Sequence, residues 1–457
     1  MINSKKLHIA ILFLAAIISC YIGFINKYPL VYPDTGTYLH SGFSGQVPHD
    51  RTIFYGLFAR HISLYASLWL VILAQGLLVC YMLYTTLGLF FKDEKRNYIF
   101  ISSVLFLTLT TGFSYTVSIL IPDIFSSIAI LCLINLLLNN NLGKLQTIFI
   151  SILFVFSITT HLSNIPILII LLLILVGIGI YKKVKKSTFI LPLKKLVLSL
   201  SLFVSSLLII PTVHYLFDNK FQLANGSHVF MMNHLIETGI LEDYLNTNCE
   251  HSNYKICNYK DELSWNFVWR EDSPLYKTGG WEVNKTEYNA IIFDILTTPK
   301  YFILFVQKSI EYSFKQYFTF GISVNAPLLE HSPPYGMINW FFKNSKTEYL
   351  SSLQNRSNLD VSFNNKIQEY IILTSMFFLF FILINSSLRK HLGYKLKWMI
   401  AIVVIHGIIS SIICANIATI DPRFQNRIVW LLPLCTIIVV IKFFEEKRDL
   451  TKSVGSY

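Results

Sequence analysis

Long apolar runs separated by short charged clusters dominate the chain. Residues 7–25, 62–91, 97–122, 124–143, 145–181, 196–217, 371–388 and 398–420 contain no Asp, Glu, Lys or Arg. A helix of roughly 20 apolar residues crosses the hydrocarbon core of a bilayer. Only helices and closed barrels satisfy their backbone there, and these runs lack the two-residue alternation of barrel strands. The run 145–181 is long enough for two helices and breaks between His161 and Pro166, where turn residues cluster. The stretch 428–444 is apolar apart from Lys442 and supplies a last helix. The pattern predicts about ten spans: 7–25, 66–91, 98–113, 122–138, 146–161, 164–181, 196–217, 369–388, 398–419 and 427–444.

Composition agrees. Only 14% of the 457 residues are charged, too few to cover a soluble protein whose mean hydropathy is +0.53. The expected fold class is mainly α: a polytopic transmembrane protein with one inserted domain. The expected divisions are a membrane module over 1–217 with a first external loop at 26–65, an extracytoplasmic domain over 218–368, and a C-terminal membrane module over 369–457. Lys5 and Lys6 before an apolar run resemble a signal peptide. The run is long for one and no small-x-small site precedes Asn26, so an uncleaved first span is expected.

Lys and Arg set the orientation. The N-terminus and 92–96, 139–145, 182–195, 389–397 and 442–457 together hold 20 basic and 5 acidic residues, whereas 218–370 holds 13 basic and 17 acidic. Both termini are therefore expected in the cytoplasm of a bacterial cell, the chain in its inner membrane, and the long segment outside. The net charge of +12 is then a topology signal. A nucleic-acid partner would need a basic soluble face, and none is evident.

The insertion has the aromatic content of a folded unit. Phe230, Leu235, Ile236 and Ile240 recur at helical spacing and predict a helix over about 228–245. Thr297-Thr298-Pro299 marks another helix start, and the following Tyr301–Phe320, with Lys308, Glu311 and Lys315, suits a helix lying in the membrane interface. Five cysteines (Cys20, Cys80, Cys132, Cys414, Cys435) fall in apolar runs and read as packing residues. Cys249 and Cys257 lie in the insertion, where an oxidising compartment favours a disulfide over a metal site.

Candidate chemistry sits at the ends of the spans. Asp34, in Tyr32-Pro-Asp-Thr-Gly-Thr-Tyr38, follows the first span and is placed to act as a general base; an Asx turn toward Gly36 is the alternative. Arg51, beside His49 and Asp50, suits a phosphate or anchors the next helix by snorkelling. Asp123 is the only carboxylate in 97–143; it caps a helix or serves function at membrane level. His161 could meet a phosphate or sugar hydroxyl, or be a satisfied buried histidine. Arg423 and Arg427 share a face if a helix has begun, and either hold a lipid phosphate or pair with Asp421 and headgroups. No Walker A, GxSxG or HExxH motif occurs.

An acidic loop motif after the first span, the stretch Arg51-Thr-x-x-Tyr55-Gly-Leu-Phe58 and Pro122-Asp123 at the second external turn resemble the GT-C superfamily of membrane glycosyltransferases over residues 1–181. That resemblance implies a polyprenyl-phosphate sugar donor, a glycan or lipid acceptor, the catalytic acid at Asp34 and a second acidic position at Asp123. The chain departs from the family in having one Asp, not an acidic pair, in the first motif, so a divalent metal is not supported. The resulting expectation is an inverting transferase that uses Asp34 as base, Arg51, Arg423 or Arg427 on the phosphate, and Asp123 and His161 to orient substrate. A flippase of a lipid-linked precursor and a scaffold for polysaccharide assembly are the alternatives.

Overall fold

The computed structural model describes residues 4–185, 192–324 and 327–454. Residues 186–191 of the basic loop 182–195 lie outside that range. Every regular element among the described residues is helical, apart from a single bridge between Leu30 and Ile119. Six helices are long and apolar enough to cross a membrane: Trp69–Leu87, Asn164–Val184, Leu193–Asp218, Ser362–Ile384, Tyr394–Ile417 and the composite Arg423–Arg448. A bent pair, Lys285–Thr297 and Pro299–Phe318, meets at 91° and would make a seventh.

The expected count of spans was higher, and four segments account for the difference. The first is interrupted at Cys20 into Ser4–Ser19 and Tyr21–Asn26. Asp93–Thr110 carries charges through its first turn. Asp123–Leu138 and Lys144–Thr160 have 16 and 17 residues, about 24–26 Å of helix against a hydrocarbon core of roughly 30 Å. Asp123–Leu138 is buried at every position. Its neighbours are protein on all sides, so it need not match a bilayer's thickness.

The expected loop 26–65 contains two helices, Pro33–Ser44 and Phe54–Ser63. They cross through Gly42 and Gly56: a Cβ on Gly42 would stand 2.0 Å from the Gly56 carbonyl oxygen. Small residues of this kind let helix backbones meet. Gly36 likewise leaves no room for a side chain against Pro333, which lets the Pro333–Phe341 helix pack onto Pro33–Ser44.

Irregular backbone at this end of the bundle is satisfied by buried amide side chains. Gln75 donates to the carbonyls of Val117 (2.7 Å) and Ile119 (3.1 Å). Gln354 accepts from the Val31 N–H (3.1 Å) and donates to its carbonyl (2.8 Å). Gln368 accepts from the Gly112 N–H and donates to the Phe320 carbonyl. Away from water such backbone must find protein partners, and these three glutamines supply them.

The segment expected as one domain, 218–368, falls into two parts. Residues 227–305 enclose their own core, centred on Met232, Leu241, Tyr288 and Ile291. Residues 320–349 instead contribute Phe320, Ile338, Phe342 and Tyr349 to the core of the helical body. The helix expected over 228–245 is two, Ser227–Glu237 and Ile240–Asn248. Gly239, at φ 75°, turns the chain between them as only glycine does cheaply. Cys249 and Cys257 are joined by a disulfide. Pro299–Phe318 begins at the Pro as read from sequence, and Phe302, Val306, Ile310, Phe314 and Phe318 expose an apolar stripe along it.

Candidate functional site

Short hydrogen-bonded links gather the charged loop residues at one end of the bundle. Leu30 exchanges backbone bonds with Ser118 and Leu120. The Thr35 hydroxyl accepts from the Tyr32 N–H (2.9 Å) and donates to the Leu120 carbonyl (3.0 Å). These bonds dock the first turn of Pro33–Ser44, which carries Asp34, onto the turn that leads into Asp123. Thr52 donates to the Thr159 carbonyl at 2.5 Å, which sets Arg51 near His161, the residue that ends Lys144–Thr160. Arg423 and Arg427 lie on the short helix Arg423–Val429. The Ser127 hydroxyl donates to the Arg427 carbonyl and packs that helix against Asp123–Leu138.

All six charged or ionisable candidates converge there. Arg51 Nη1 lies 3.1 Å from Asp34 Oδ1, and Arg423 Nη1 donates to Asp34 Oδ2 at 3.0 Å. Arg51 also forks onto Asp50, with Nε at 3.0 Å and Nη2 at 2.5 Å. Arg423 Nε is 4.0 Å from Asp123 Oδ2, so Arg423 stands between the two carboxylates. Arg427, 1% exposed, places Nη1 3.7 Å from Asp123 Oδ1 and 3.2 Å from His161 Nε2. A guanidinium only donates, so Nε2 is the acceptor and the imidazole is neutral; its 3.6 Å approach to Asp123 is not an ion pair. The second Arg427 nitrogen reaches the Ser163 hydroxyl (3.1 Å) and Cys414 Sγ (3.2 Å). Cys414 therefore does more than fill space.

Burial alone would raise the Asp34 carboxyl. The guanidinium groups of Arg51 and Arg423 outweigh it and hold Asp34 down at about 2. The tyrosines frame the cations: Arg423 lies over the Tyr32 ring at 4.2 Å and Arg51 over Tyr38 at 5.1 Å. The Tyr32 hydroxyl donates to Asp421 at 3.1 Å. Asp421 accepts from the Arg423 backbone N–H (2.9 Å) at the turn that leads into the short helix.

The cluster keeps unused hydrogen-bonding capacity. Asp123 Oδ1 and the Nε atoms of Arg423 and Arg427 are buried without a hydrogen bond. A small pocket walled by Tyr32, Tyr115, Thr116, Ser323 and Asn426 opens onto Asp123 and Arg423. A second small, mostly apolar pocket, lined by Met376, Val403, His406, Gln425 and Leu432, lies against the other face of the same short helix. Among the described residues, no group of three or more His, Cys, Asp or Glu side chains is placed to hold a metal ion.

The inserted segment reaches this site through a clamp that the sequence did not reveal. Gln316, fully buried, donates to the Asp421 carbonyl (3.0 Å) and accepts from its N–H (2.9 Å). Glu237 accepts from the Thr419 hydroxyl (2.9 Å) and from Asn233 (2.8 Å). The turn that presents Arg423 is therefore gripped by two helices of the insertion. No spacing in the sequence links positions 237, 316 and 421, and only the tertiary fold brings them together. Comparison with known protein families, curated proteins and solved structures finds no match to this chain. The functional reading therefore rests on the site's own chemistry.

Proposed function

We propose that the chain is an integral-membrane glycosyltransferase of GT-C type. It transfers a sugar from a polyprenyl-phosphate donor to an envelope glycan, lipid or protein acceptor at the extracytoplasmic face of a bacterial inner membrane. One observation carries this reading: Asp34 and Asp123 share a single arginine, Arg423, at the end of the bundle where the insertion sits. Two carboxylates among three arginines supply the acid, base and anion-binding groups that such a transfer needs.

In the resting arrangement both Asp34 oxygens are held by guanidinium groups, which makes the carboxylate a poor base. An incoming donor phosphate competes for Arg51 and Arg423, and each bond it takes leaves Asp34 more basic. Asp34 then accepts the proton of the acceptor hydroxyl as that oxygen bonds to the anomeric carbon. The bond from this carbon to the phosphate oxygen breaks, its electron pair leaves with the polyprenyl phosphate, and the configuration inverts. Arg423 and Arg427 stabilise the departing phosphate.

The test is Asp34→Asn, assayed for transfer from a labelled polyprenyl-phosphate sugar in isolated membranes. Loss of general-base catalysis predicts a fall of about 10²–10⁴-fold at unchanged protein level. Undiminished transfer and an unaltered surface glycan would sink the proposal.

A further inference from the structure

At the rim of the insertion's core, where Phe230 and Trp281 pack half-buried, aromatic rings reach the surface. Trp265 is 72% exposed and Trp269 58%. Trp269 lies 6.3 Å from the Phe230 ring, and Trp281 meets the same ring edge-on at 5.7 Å. Trp281 Nε1 donates to the Tyr276 hydroxyl at 3.5 Å, and that hydroxyl donates to the Val268 carbonyl at 3.2 Å. Two tryptophans thus flank one phenylalanine, with a fixed phenol at the rim. Large rings left in water on a folded surface mark a binding face.

The surroundings decide between partners. Residues 261–287 carry six carboxylates and three cations, so an anionic headgroup layer would be repelled. The lipid-suited face of the insertion lies elsewhere, on the stripe from Phe302 to Phe318, which is interspersed with Lys308 and Lys315. Saccharides fit the aromatic cluster better. The C–H face of a pyranose is weakly positive and apolar and stacks on the negative face of an indole. Sugar hydroxyls donate to carboxylates such as Glu282, half-exposed beside the cluster.

The cluster also adjoins the candidate site. Trp281 packs on Gly226, whose added Cβ would meet the indole at 2.8 Å and the Asp50 Cα at 3.3 Å. Asn225 donates its N–H to the His49 carbonyl at 2.8 Å. Asp50 is next in sequence to Arg51. A chain laid across Trp269 and Trp281 is thereby led toward the loop that carries Arg51.

We infer that Trp269, Phe230 and Trp281 form a saccharide-binding platform that receives a neutral or weakly charged glycan chain beside the ion-pair site. If the transfer reading holds, this glycan is the acceptor or its growing end. Binding itself does not depend on that reading.

The test uses the purified full-length protein in detergent on an array of bacterial surface glycans, with vesicles of phosphatidylglycerol and phosphatidylethanolamine as the competing probe. Retention of at least one glycan is expected. Trp269→Ala should weaken it by 10-fold or more, while Trp269→Tyr, which keeps a stacking ring, should lose far less. Retention is read without any polyprenyl-phosphate donor present, so a failure of transfer chemistry is distinguishable from a failure of the platform. Three results would each overturn the inference: no glycan retained, retention indifferent to Trp269→Ala, or a Trp269-dependent affinity for the vesicles alone.

Discussion

Arg423 is the residue on which the site's electrostatics turn. It contacts Asp34 and Asp123 together and stacks on Tyr32. Arg423→Ala would take one of two arginines from each of two mostly buried carboxylates, leaving Arg51 on Asp34 and Arg427 beside Asp123, so the cost should fall below the roughly 3–5 kcal/mol typical of a buried charge left with no partner. Arg423→Lys keeps the charge but lacks the fork that reaches both acids, so it should recover only part of that loss. Thermal unfolding of the solubilised protein ranks the three forms; equal melting of Lys and Ala variants would contradict the shared-fork account. Asp34 sets a separate expectation for pH. Its folded value of about 2 lies below the ordinary carboxylate value of about 3.9. The stabilisation it contributes is complete above that ordinary value and is lost only as pH falls toward 2. Mild acid should leave this pair intact, and Asp34→Asn should not alter the melting profile's slope between about pH 5 and about pH 8.

Among the helices, contact at glycine and amide grips hold the site in register. Gly42→Ala forces the Pro33–Ser44 and Phe54–Ser63 helices apart, because its Cβ would sit 2.0 Å from backbone that cannot move alone. Overpacking of this kind costs about 1–3 kcal/mol, and here it would also shift Asp34 relative to Arg51. A lower melting temperature together with weaker transfer is the expected pair of results; a change in neither would mean that the crossing has slack. Gln316→Ala leaves the Asp421 N–H and carbonyl without their partners, so amide hydrogen exchange in the turn 418–423 should rise relative to the parent. Unchanged protection would show that the turn stands without the insertion. The site residues themselves were legible because charges are rare at the ends of apolar runs, where each one is costly and stands out. The helices between them were not. Pro33–Ser44 and Phe54–Ser63 are short and rich in Gly, Ser and Thr, and their apolar contacts go to each other and to Pro333–Phe341, which no local period reveals.

For the molecule as a whole, the insertion and the helical body meet at a buried histidine. His234 is fully buried, its ring edge-on to Phe305 and Tyr312. Burial holds it down at about 4, and neither ring nitrogen has a hydrogen-bond partner. An unfolded histidine titrates near 6.5, so stability is complete above that value and declines as pH falls through it, by about 2 kcal/mol between about pH 7 and about pH 5. Glu237, raised by burial, acts in the opposite sense and more weakly. His234→Phe should therefore flatten or reverse the acid slope of the melting temperature; an unchanged slope would place the titrating group elsewhere. Hydropathy revealed the apolar helices, but not that residues 320–349 of the insertion belong to the core of the body. Those residues alternate polar and apolar as a soluble segment does, and their partners are hundreds of positions away.

Arg423 and Asp34 are 389 positions apart along the chain. During synthesis Asp34 soon has Arg51 beside it, whereas Asp123 emerges long before Arg423 and Arg427, its cations from the far end. Until the final hairpin of helices arrives, the early bundle harbours an unneutralised Asp123, and its close packing is premature. A chain cut before residue 420 should therefore accumulate as a loosely assembled, protease-sensitive species, and supplying residues 394–457 as a separate polypeptide should restore its resistance.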